Sequence, residues 1–208
     1  DWGPDWQTSP IYAVRVLGRF PETASDAVIG LSLVLAAIAR HGEVEPDGPL
    51  VVGLDVARFG DDETVAAPRR GKHVFPLLRV APGDGPETAS RFLLALRESK
   101  LLRPGEKPQV NVDANGVGAA VYDALSRSDA VRAVAVNTSS ASSNANEFLN
   151  LRAELHFAGR DWLREGGAIP DDGKLQAEMV APKYRTDARG RLQVESKDDL
   201  KKRLPGGR

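Results

Sequence analysis

The chain has 208 residues, of which 41% are hydrophobic and 27% charged, and 28 basic against 29 acidic side chains give a formal net charge of −1. That length suits one ordinary domain with a real core plus an arm, and the composition reads as globular and water-soluble. The charge balance argues against a strongly basic module that holds nucleic acid by charge alone. It leaves room for a DNA enzyme whose basic residues cluster on one face. With no cysteine in the chain, disulfides, thiolate metal sites and a cysteine nucleophile are excluded.

The first 49 residues differ in pattern from the rest of the chain. Asp1-Trp2-Gly3-Pro4-Asp5 has neither a basic region nor an apolar core, so no signal peptide is expected. A short apolar stretch over 11–17 is stopped by Phe20-Pro21, and a helix is predicted over 31–40 with Gly42 just past its end. Residues 43–49, Glu-Val-Glu-Pro-Asp-Gly-Pro, form a polar, turn-rich linker. The predicted division is therefore an arm or linker over 1–49 and a domain over 50–208.

From Leu50 onward strand and helix patterns alternate. Residues 50–56 are a continuous apolar run ending near a carboxylate, the pattern of a strand buried on both faces. Strands are predicted over 64–67 and 73–80, joined by an Arg69-Arg70-Gly71 turn, then an amphipathic helix over 86–99 with Phe92, Leu93 and Leu96 inward. A strand over 109–113, a helix over 118–126 and a strand over 131–136 come next. Residues 137–146 are rich in Ser and Asn and read as a mobile loop. Helices over 149–164 and 174–180, a hairpin over 184–195 turning at Arg189-Gly190, and a Ser196-capped helix over 200–204 complete the chain. The predicted fold is α/β, a mixed five-stranded sheet flanked by helices, with an N-terminal arm and a C-terminal hairpin.

No stretch approaches the ~18 uninterrupted apolar residues of a membrane span. His41, His73 and His156 lie far apart with no metal-ligand spacing, so no zinc site is expected. The chain has no Gly-x-x-x-x-Gly-Lys-Ser/Thr loop for ATP.

Two constellations carry chemistry. In Gly53-Leu54-Asp55-Val56-Ala57-Arg58-Phe59-Gly60-Asp61-Asp62-Glu63-Thr64, Asp55 closes a buried strand and an acidic turn lies just beyond it. A carboxylate held on rigid backbone is what a metal ligand needs, and hard oxygen donors suit Mg²⁺ or Mn²⁺. The same residues also suit an ordinary acidic turn. In Val112-Asp113-Ala114-Asn115-Gly116-Val117-Gly118 a second carboxylate ends a strand and glycines open a helix. A helix cap or an Asx turn is the plainer reading there. Were the two strands neighbours, Asp55 and Asp113 could share a metal, but nothing in the spacing demands it.

Several segments, in order, resemble phage terminase large subunits. Residues 12–21, Tyr-Ala-Val-Arg-Val-Leu-Gly-Arg-Phe-Pro, resemble the segment that joins their ATPase and nuclease halves. The Asp55 segment is similar to the opening strand and turn of their nuclease domain, and Asp113-Ala114-Asn115-Gly116-Val117-Gly118 to its second acidic strand end. Residues 195–203 resemble the approach to its last acidic motif. The resemblance implies a ribonuclease H-like domain that cuts double-stranded DNA during viral genome packaging with two divalent ions, Mg²⁺ or Mn²⁺. It implies Asp55 as the bridging ligand, Asp113 as the second, and Asp62 or Asp61 as an auxiliary one. The implied partners are DNA, the portal protein, the small terminase subunit and an ATPase domain of the same polypeptide, in the cytoplasm of an infected bacterium. The family's last motif, Ser-Pro-Asp and a further acidic residue, is expected just after Arg208. The 208-residue chain alone is then expected to bind DNA weakly and to cut it slowly or not at all.

Basic residues placed to track a DNA backbone are Arg58, Arg69, Arg70 and Lys72, then Lys183 and Arg185 near the second hairpin, with Arg189 and Arg191. A solvated basic face fits them equally well. Other readings of the whole are a junction resolvase or transposase core, and a non-catalytic module that grips DNA or docks on the portal.

Overall fold

A computed structural model describes residues 26–57, 63–81 and 83–203. In chain order its elements are α1 (Leu31–Ala39), β1 (Leu50–Asp55), β2 (Thr64–Arg70), β3 (His73–Val74), β4 (Leu78–Val80), α2 (Gly85–Glu98), β5 (Gln109–Asp113), α3 (Gly118–Ser126), β6 (Arg132–Val136), α4 (Leu151–Arg164), α5 (Gly173–Val180), β7 (Tyr184–Thr186), β8 (Leu192–Val194) and α6 (Lys197–Arg203). They divide into two compact units: Gly42–Thr138, and the described residues up to His41 together with those from Ser139 onward.

In the unit Gly42–Thr138 the strands form one mixed sheet in the order β3-β2-β1-β5-β6, with β4 also pairing β2. β1 is antiparallel to β2, and β1, β5 and β6 are mutually parallel. The sheet has six strands because the predicted strand over 73–80 is two. Phe75 N still donates to Pro68 O at 2.9 Å, but Pro76 lacks an N–H for the ladder, so pairing breaks after Phe75 and β3 and β4 hold opposite ends of β2. Leu50, Val52, Leu54, Ala66, Val110 and Val112 share one sheet face and are buried with Phe92 and Leu96 of α2 and Val121 and Leu125 of α3. Burying a side chain such as Phe92 stabilises by about 1.5–3 kcal/mol, so this face sets which way every strand points. Helix α2 opens on an Asp84 carboxylate that accepts from the Glu87 N–H at 2.8 Å, with Pro86 in its first turn.

A buried ion pair closes the other end of this unit. Arg70, at the end of β2, is 3% exposed and forks onto the Glu106 carboxylate. It also donates to the carbonyls of Gly48 and Leu101, each at 2.8 Å. Glu106 accepts in addition from the Leu50 N–H at 2.9 Å and the Arg103 N–H at 3.0 Å. The guanidinium, and after it these N–H groups, pull the Glu106 carboxyl down to about 2.

In the second unit, α1 packs on α4 and α5. Asn150 and Asp172 cap α4 and α5, accepting from Ala153 N and Leu175 N, each at 3.0 Å. β7 and β8 form the expected hairpin, with Gly190 at φ +82° in its turn. The backbone next to α1 joins this hairpin: Tyr184 N donates to Asp26 O at 2.8 Å and Val28 N to Pro182 O at 3.0 Å. The Ser- and Asn-rich stretch is not loose at its centre. Ser142 and Ser143 both donate to the Glu154 carboxylate of α4, whose pKa these bonds lower.

Candidate metal centre

Within Gly42–Thr138, β1 and β5 are adjacent, parallel and in register, with Leu54 opposite Val112. Both of those are buried toward α2 and α3, so strand alternation turns the next residues, Asp55 and Asp113, to the opposite face one rung further on. Asp55 faces Val65 of β2 and Asp113 faces Val136 of β6, which puts the two carboxylates at the centre of a four-strand rung. Neighbouring strands lie ~4.8 Å apart, so the two side chains start from adjacent backbone positions. Asp55 is exposed and Asp113 half-buried. The register supplies the adjacency that sequence spacing left open.

Each carboxylate is held from the backbone side. The Thr64 hydroxyl, fully buried, accepts from Ala57 N at 3.2 Å and ties the chain leaving β1 to the start of β2. Beyond β5, Ala114 N donates to Val136 O at 2.9 Å, which carries the ladder one residue past Asp113. The first turn of α3 then rests against the Asp113 carbonyl. A Cβ at Gly118 would lie 1.8 Å from that oxygen, so only glycine admits this approach.

The Asx turn expected at Asp113 is present. Asp113 Oδ1 accepts from Asn115 N at 3.2 Å and from Asn115 Nδ2 at 2.7 Å, and Asn115 Nδ2 also donates to Thr138 Oγ1 at 2.7 Å. Oδ2 accepts no bond from a described residue, and neither does the Asp55 carboxylate. The turn and the metal-ligand readings are thus compatible, since they use different oxygens. Two carboxylates on one rung, with no basic partner among the described residues, suit a hard divalent cation by donor chemistry. No third His, Asp or Glu joins them among the described residues. Asp61 and Asp62 lie outside those residues, as do Arg58 and the segment 12–21.

Comparison with solved structures is decisive for the fold. The chain is similar to the nuclease domain of the large terminase subunit gp2 of bacterial virus Sf6, with TM-score 0.67, 20% identity, and coverage of 86% of this chain and 91% of that one. A K428A mutant of that subunit's gp2c, with calcium, gives TM-score 0.68 at 21% identity over 86% and 92% of the two chains. The large terminase nuclease from thermophilic phage G20c gives TM-score 0.55 at 16% identity over 85% and 94%. The chain has the fold of a terminase large-subunit nuclease domain. No protein-family model and no curated protein sequence matches it.

On this terminase nuclease fold the basic candidates separate. Arg70 is withdrawn as a DNA contact, because the side chain is buried and both terminal nitrogens are turned inward onto Glu106 and backbone carbonyls. Arg69 is half-buried and donates to Gly71 O at 2.6 Å, and Lys72 beside it is half-buried. In the second unit Lys183 pairs with Asp26 at 3.0 Å, and the Asp26 carboxyl is lowered first by that bond. Arg185 is exposed, with Nε donating to Gln193 Oε1 at 3.2 Å. Arg191 is held by Asp187 at 2.8 Å, and Arg203 by Glu195 at 2.6 Å. Glu106 and Thr138 escaped the sequence reading altogether: each matters through a partner distant in the chain, and no local pattern marks it. No helix among the described residues is long and apolar enough to cross a membrane.

Proposed function

We propose that the chain is the metal-dependent nuclease domain of a phage terminase large subunit, cleaving double-stranded DNA as a genome is packaged. The observation that carries the reading is the Asp55–Asp113 rung, two carboxylates with no basic partner among the described residues, at the ends of adjacent parallel strands on the fold of terminase nucleases. Related nuclease domains solved with manganese, with calcium and with magnesium support divalent-ion binding at this fold. Asp55 and Asp113 would hold Mg²⁺ or Mn²⁺, with Asp62 or Asp61 adding a ligand from the turn after β1. Two such ions, when bound, supply an activated water and stabilisation for the departing oxygen.

The protein's own part is to keep the ligands in place. Register and the helix-covered core fix the two strands, so the backbones that carry Asp55 and Asp113 would stay in place when a cation binds. Their mutual repulsion is tolerated because the rest of the sheet over-determines both backbones. In the sheet unit Arg58, Arg69 and Lys72, and separately in the second unit Lys183 and Arg185, would each contact the DNA backbone without reading bases, in keeping with cleavage of little sequence preference. Residues 1–49 would supply the connection to an ATPase domain. The portal protein and small terminase subunit would be the other partners, in the cytoplasm of the infected host.

The test is plasmid nicking across Mg²⁺ and Mn²⁺ titrations with enzyme in excess. Wild-type chain should nick slowly and only with divalent metal, while Asp55→Ala and Asp113→Ala should not nick. Near wild-type nicking by either variant would refute the roles. Salt-sensitive DNA binding with no nicking under any metal would favour a module that grips DNA without cutting it.

A further inference from the structure

We propose that Asn115, anchored by Thr138, is a positioning residue that presents Asp113 Oδ2 to the metal; the inference rests on the reading of Asp113 as a cation ligand. Both N–H bonds of the Asn115 carboxamide have a destination. One goes to Asp113 Oδ1 and the other to Thr138 Oγ1, each at 2.7 Å. The Asn115 backbone N–H adds a second bond to the same Oδ1 at 3.2 Å. One carboxylate oxygen is thereby doubly engaged and the other is left without a bond from any described residue. The two oxygens of a carboxylate are equivalent, so what these bonds fix is the plane of the group. Partial rotation breaks both, and Asn115 thereby sets the direction in which the oxygen without a bond points.

Asn115 is exposed, and an exposed amide with a single bond samples several rotamers. Thr138 removes that freedom. It is half-buried and lies two residues beyond Val136, the register partner of Asp113. The Ala114–Val136 backbone bond brings the two chain ends side by side. The anchor therefore comes from the neighbouring strand, and it is the β5–β6 ladder that aims the carboxylate. Partners that orient a ligand in this way change metal affinity on the order of tenfold or more when removed.

The experiment is calorimetric titration of Mn²⁺ into the 208-residue chain. Wild type is compared with Asp113→Asn, Asn115→Ala, Thr138→Val and Thr138→Ser, and thermal melts in EDTA check each fold. Asp113→Asn should lose binding, Asn115→Ala should weaken it on the order of tenfold, and Thr138→Val about threefold to fivefold. Thr138→Ser, which keeps the hydroxyl, should bind as wild type. The melts should not separate Thr138→Ser from wild type, and the Val/Ser pair decides the matter if Asn115→Ala fails to fold. With Asp113→Asn inactive in binding, wild-type affinity in a folded Asn115→Ala or in Thr138→Val, or failure of Thr138→Ser to retain it, would overturn the proposal. Undiminished binding by Asp113→Asn would instead overturn the ligand assignment beneath it, and the proposal with it.

Discussion

Removing the Arg70–Glu106 pair should cost the sheet unit a large share of its stability while leaving DNA affinity unchanged. Arg70 is 3% exposed and its guanidinium serves Glu106, Gly48 O and Leu101 O at once. Arg70→Ala leaves the Glu106 carboxylate with only its two backbone N–H donors and no counter-ion, and the Gly48 and Leu101 carbonyls without their donor, a change that costs about 3–5 kcal/mol for a buried pair. Glu106→Gln is milder and can be sized from the carboxyl itself. Held at about 2 instead of the ordinary 4.5, the group contributes at most about 3.4 kcal/mol. Glu106 keeps 16% of its side-chain exposure, and solvent screening reduces this to about 2 kcal/mol. Because the folded pKa is depressed, that contribution is fully present above about pH 5 and is lost as pH falls toward 2. Urea denaturation of both proteins at pH 7 and near pH 3 gives the comparison. The stability gap should shrink by more than half on acidification. A pH-independent gap, or an Arg70→Ala loss below about 1 kcal/mol, would refute the clamp.

Asp55→Asn, measured in EDTA, should leave the melting temperature unchanged or raise it by a degree or two, since it relieves repulsion between like charges on one rung. A clear drop in differential scanning calorimetry would mean that the carboxylate has a structural partner. Gly118→Ala should destabilise by more than about 2 kcal/mol and weaken Mn²⁺ binding, because its Cβ would lie 1.8 Å from Asp113 O. Wild-type urea midpoint and Mn²⁺ affinity in that variant would rule out the close approach. Arg185→Ala should lower the slope of log affinity against log salt by about one unit in fluorescence anisotropy with duplex DNA. Arg70→Met should not change that slope, and equal effects from the two would place Arg70 at the DNA after all.

Local pattern determined much of this protein. The boundaries of β5 and α3, Gln109–Asp113 and Gly118–Ser126, come from apolar periodicity and the glycines between them, because strand and helix repeats are properties of a few neighbouring residues. The carboxylates at the two strand ends were legible for the same reason. Their adjacency was not, since parallel pairing of β1 with β5 joins residues more than fifty positions apart through a crossover that leaves no local trace. Arg70 read as a surface cation beside a turn, and only the long-range placement of Glu106 made it an interior one. Pro76 was visible, yet whether it would end a strand or lie on an unpaired edge depended on how β2 was shared. The Ser-rich stretch owed its anchoring to Glu154 on a helix still to come. Asn115 stood in a legible motif, while its anchor Thr138 became a neighbour only when β6 paired with β5. Local sequence sets what each segment tends to become; which polar group meets which is decided by the register that burial of the hydrophobic face imposes.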